Sequence, residues 1–79
     1  MEQLVEISKM QVMMAFVATC IESTARHLNT TYQEVFSRMK QVGLIERYII
    51  PHYESLHTES RENISNGIIE CLNQWEESK

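Results

Sequence analysis

From residue 3 to residue 27 apolar side chains recur at steps of three and four with no glycine or proline between them, which predicts one long N-terminal helix. At roughly 100° per residue, Met10, Val12, Met13, Met14, Phe16, Val17, Cys20 and Ile21 spread over more than half of its circumference. Such a rod has to be covered on several sides. What remains is a narrow polar stripe of Ser8, Gln11, Ala15, Thr19, Glu22 and Arg26. Within it Glu22 precedes Arg26 by one turn, the favoured order for a helical ion pair.

Asn29, Thr30 and Thr31 end that helix and start a second. Thr31 followed by Glu34 has the spacing of a capping box, with Thr30 and Gln33 as the alternative register. This helix runs to about residue 42 with Tyr32, Val35, Phe36 and Met39 as its apolar face, and Gly43 can take the left-handed conformation that closes it. Over residues 44–56, Ile45, Tyr48, Ile49 and Leu56 keep helical spacing around Pro51. A proline in a helix interior removes one hydrogen bond and crowds the preceding turn, so a kinked third helix or two short pieces are expected. A strand over residues 44–50 is the weaker alternative, having no second strand to pair with. After the polar connection His57-Thr58-Glu59-Ser60, where Thr58 or Ser60 can cap, a last amphipathic helix puts Ile64, Ile68, Cys71, Leu72 and Trp75 on one side. Glu62, Asn66, Glu70, Asn73 and Glu76 lie on the other. The fold class expected is all-α, a compact bundle of about four helices around the long first one, forming a single domain over residues 1–79.

Length makes such a bundle thinly stable. A chain of 79 residues has a small core, and scaffolds of this size commonly add a disulfide, a metal or a second subunit. Only two cysteines are present, Cys20 and Cys71, each on an apolar helix face, where a thiol behaves as a small hydrophobe. There is no Cys-x-x-Cys or Cys/His cluster, and no metal or other cofactor is expected. A second subunit is left, either a homodimer or another protein partner.

Charge narrows the partner. Eleven acidic residues against seven basic ones give a formal net charge of -4, which lacks the basic footprint that nucleic acid needs as a main ligand. The first six residues carry acid where a secretory signal needs positive charge. The longest apolar run, residues 12–18, is far short of a membrane span. A cytoplasmic protein without a membrane role is expected.

Enzymatic chemistry has one candidate. His27 and His57 lie near helix ends, and neither makes a compact metal-ligand spacing with another histidine. Arg47 precedes His52 by five residues, a spacing that resembles the motif of small α-helical ribonucleases of the HEPN type, in which Arg and His act together on the phosphodiester. The chain departs from that pattern at Tyr48, where a polar residue is usual, and at Pro51, which disturbs the register. Met10, Met13 and Met14 read either as core or as an adaptable binding surface.

Residues 16–22 (Phe-Val-Ala-Thr-Cys-Ile-Glu), 43–49 (Gly-Leu-Ile-Glu-Arg-Tyr-Ile) and 53–60 (Tyr-Glu-Ser-Leu-His-Thr-Glu-Ser) resemble a family of short bacterial proteins described as a domain of unknown function. The Cys-Ile-Glu and Leu-His-Thr-x-Ser elements are its most specific pieces, and neither is a catalytic signature. The resemblance implies a bacterial cytoplasmic helical protein whose gene often lies near those of ADP-ribosyltransferase-like proteins, which suits an antitoxin-like or accessory regulator. Pro51 stands where relatives usually carry a helix-compatible residue. The resemblance also draws attention to Glu22 and to His57-Thr58, either as a hydrogen-bonded tie between the connection and the first helix or as a partner-binding spot. Gln11, Thr19, Glu22, Arg26, His57 and Thr58 are therefore the candidate polar contacts of a non-enzymatic protein-interaction module. A ribonuclease using Arg47 and His52, and a structural subunit of a larger assembly, are the alternatives.

Overall fold

In the computed structural model, which describes residues 8–78, Ser8 is extended (φ -60°, ψ 149°) and its Oγ accepts from the Gln11 amide at 3.1 Å. That bond satisfies one of the unpaired donors of a helix start. Helix α1 accordingly runs Lys9–Leu28. The continuous helix expected from residue 3 is thus corrected at Ser8, which is a cap and not part of the polar stripe. The portion expected over residues 3–7 lies outside the described residues.

Asn29 closes α1 in the left-handed region at φ 59°, and the Thr30 amide reaches back to the Ala25 carbonyl at 2.9 Å. Thr31 then caps α2 (Tyr32–Val42) by accepting from the Glu34 amide at 3.1 Å, which selects the first of the two capping registers. Gly43 ends α2 at φ 71°, a backbone conformation that a side chain disfavours.

The segment around Pro51 forms two short pieces. Ile45–Ile49 is a π-helical segment, in which the Ile50 amide reaches five residues back to Ile45 at 3.0 Å. Pro51 has no amide hydrogen to give, and its ring would meet the carbonyl four residues back in a regular helix. The wider turn ends there, and α3 (Tyr53–Leu56) follows. Ser60, rather than Thr58, caps α4 (Arg61–Glu77), its Oγ accepting from the Asn63 amide at 3.1 Å. No strand occurs among the described residues.

Helix α1 packs on both α2 and α4, and α2 packs on α4. The core is Val17, Cys20, Ile21 and Ala25 from α1, Val35, Met39 and Val42 from α2, Leu44, Ile45 and Ile49 after it, and Ile64, Ile68 and Leu72 from α4. Ile68 and Leu72 are fully enclosed, each contributing about 1.5–3 kcal/mol by leaving water. Two expected core positions of α2 are corrected. Tyr32 and Phe36 stay exposed and lie against each other, ring centres 6.5 Å apart, because only the Val35, Met39 and Val42 edge of α2 meets its neighbours.

Candidate interaction surface

Residues 10, 13, 14, 17, 20, 21, 24, 25 and 28 of α1 fall at steps of three and four, so they form one stripe along the helix. From Val17 onward this stripe is the core seam, with Val17, Cys20, Ile21, Thr24 and Ala25 all buried. Before Val17 the same stripe runs past the bundle. Met10 is 58% exposed and Met14 47%, with Met13 half-buried between them. Val12, 39% exposed, lies off the stripe. The wide apolar arc expected to be covered on several sides is therefore covered only along its second half.

Helix lengths explain this. At about 1.5 Å per residue, the 11 residues of α2 cannot span the 20 of α1. Helix α4 meets α1 in its second half, where Ser65 donates to Ser23 at 2.8 Å. Helix α3 borders the first half of α1. Tyr53 meets Phe16 edge to face at 5.3 Å, and Glu54 pairs with Lys9 at 2.9 Å in full solvent. That pairing lowers the Glu54 carboxyl from its ordinary value and raises Lys9, the direct hydrogen bond being the larger cause in both.

The six candidate polar residues do not form one site. Gln11 is exposed and its amide serves the Ser8 cap. Glu22 pairs with Arg26 at 3.1 Å on an exposed face, as the sequence predicts. Thr58 donates to the Ser55 carbonyl at 2.8 Å. The tie between α1 and the chain following α3 runs through Ser23 and Ser65, and Glu22 and Thr58 bond within their own segments. Thr19 and His57 both line a groove of about 280 Å3 between α1 and the start of α4. Thr19 donates to the Ala15 carbonyl at 3.1 Å, and the His57 ring stands edge-on to Tyr53 at 4.7 Å. Sequence reasoning missed Ser23 and Ser65. The available signal was that Ser65 precedes Ile68 and Leu72 by three and seven positions, on the face that α4 buries.

Arg47 and His52 face different surroundings. The Arg47 guanidinium lies over the Trp75 ring at 4.8 Å and borders a second groove with Gln41, Val42 and Ser78. His52 is exposed, its Nδ1 2.8 Å from the Tyr48 carbonyl, and it lines neither groove. Burial pushes the Cys20 thiol up to about 11. It also raises Cys71, against the opposing pull of Arg47. Among the described residues no group of three or more His, Cys, Asp or Glu side chains is placed to hold a metal ion, and no helix is long and apolar enough to cross a membrane.

A family model described as "Protein of unknown function (DUF3791)" matches residues 15–75. The match covers the second half of α1 and most of α4, and the exposed first turns of α1 precede it. No curated protein and no solved structure matches the chain.

Proposed function

We propose that this chain, which belongs to the DUF3791 family, is a non-enzymatic protein-interaction module whose contact face is the uncovered first half of α1. One observation carries the reading. The stripe that forms the core seam from Val17 to Ala25 continues through Met13 to Met14 and Met10, which are left in water. Unbranched methionine side chains adapt to a facing surface, and a helix with its own apolar stripe is the natural counterpart. A second copy of the chain supplies such a stripe, so a homodimer in the cytoplasm is the first partner to test. The resemblance to proteins encoded near ADP-ribosyltransferase-like genes supports an antitoxin-like or accessory role for the module.

The experiment is sedimentation of the parent chain and of a Met10→Glu/Met14→Glu variant over a range of concentrations. Both substitutions fall on exposed positions, so the fold is retained. Association in the parent and its loss in the variant support the reading, and equal behaviour of the two rejects this face as the contact.

A further inference from the structure

The groove between α1 and α4 is lined by apolar Phe16, Cys20 and Ile64 and by Ser23 and Ser65, whose hydroxyls bond to each other. In a hydrogen-bonded pair of serines only one hydroxyl proton is used, so the other is left to donate. Glu59 and Arg61, of opposite charge and two residues apart, line the same groove. Neither side chain enters an ion pair or hydrogen bond with another described residue. One small space thus combines an unpaired anion, an unpaired cation, a spare hydroxyl proton and an apolar wall. Its volume of about 280 Å3 is at or below the lower end for small-molecule pockets, roughly 300 Å3, which points to a compact ligand.

From this juxtaposition we infer that the groove binds a free apolar α-amino acid. The carboxylate accepts from Arg61 and from the serine pair, the ammonium pairs with Glu59, and the apolar side chain lies on Phe16, Cys20 and Ile64. A zwitterion meets both charges, whereas a ligand with one charge meets only one of Glu59 and Arg61, which stand exposed at the edge of the groove. The inference is independent of the α1 contact face, since Met10 and Met14 do not line the groove.

Titration calorimetry of the full chain tests it with L-leucine, N-acetyl-L-leucine and L-leucinamide as probes. L-leucine is expected to bind, and the two analogues, each lacking one charge, to bind more weakly by about tenfold or more. Glu59→Gln and Arg61→Gln are each expected to weaken L-leucine to a similar degree with an unchanged melting temperature, and Met10→Glu/Met14→Glu to leave its binding intact. Absence of binding by L-leucine, equal binding by either analogue, or full binding by both charge variants overturns the inference.

Discussion

Arg38 on α2 holds Glu76 on α4 through two hydrogen bonds of 2.8 Å each, from Nε and from one terminal nitrogen, with Asn73 Oδ1 a further 3.5 Å contact. The two side chains are 29% and 32% exposed, so the pair is partly shielded from water. Its fork geometry is available to arginine and not to lysine. A double-mutant cycle with Arg38→Ala and Glu76→Ala is expected to give a coupling of about 1 kcal/mol in urea denaturation. Arg38→Lys should recover less than half of it.

Thr24 is fully buried in α1 and its hydroxyl has no hydrogen-bond partner. An unsatisfied buried hydroxyl costs about 1–3 kcal/mol, and valine has nearly the same shape without that group. Thr24→Val is expected to raise unfolding stability by about 1 kcal/mol, read as a higher denaturation midpoint at unchanged slope. A loss of stability would show that the hydroxyl is satisfied.

The Cys20 thiol has an ordinary value of 9.0 and is held near 11 by burial. A folded value above the unfolded one means that its contribution is complete below about pH 9 and is lost as pH rises toward about 11. Burial raises Tyr48 and Cys71 as well, so they act in the same alkaline range. Stability is expected to fall between pH 9 and pH 11, and Cys20→Ala to flatten part of that fall. At pH 8 a thiol reagent should modify half-buried Cys71 faster than buried Cys20.

Arg47 lies over the Trp75 ring and His52 is exposed with its Nδ1 on the Tyr48 carbonyl, and the proposed interaction module has no use for either as a catalyst. Single-stranded RNA incubated with the parent and with His52→Ala is expected to remain equally intact. Cleavage by the parent that disappears in the variant would restore the ribonuclease alternative.

Local features of this fold were legible and non-local ones were not. The Thr31 cap, the left-handed Gly43 and the break at Pro51 depend on a few neighbouring residues, and each could be read from them. The Ser8 cap was local too, with Ser8 and Gln11 at capping spacing, and it was hidden by apolar periodicity that runs through it. How far α1 is covered depends on where α2 stops and where α4 begins, which periodicity within α1 does not encode. For the same reason Tyr32 and Phe36 looked like core, and the sharing of one groove by Thr19 and His57 had no sequence signal. The Glu22–Arg26 pair was legible, being one helical turn.

Self-association of this chain turns on what covers Met10 and Met14. Sedimentation equilibrium of the parent chain over the micromolar range, beside the Met10→Glu/Met14→Glu variant, measures it. The parent mass is expected to rise with concentration toward twice the monomer, and the variant to stay monomeric with the same helical content. A parent that stays monomeric throughout the range, or a variant that associates as the parent does, would contradict self-association through the first half of α1.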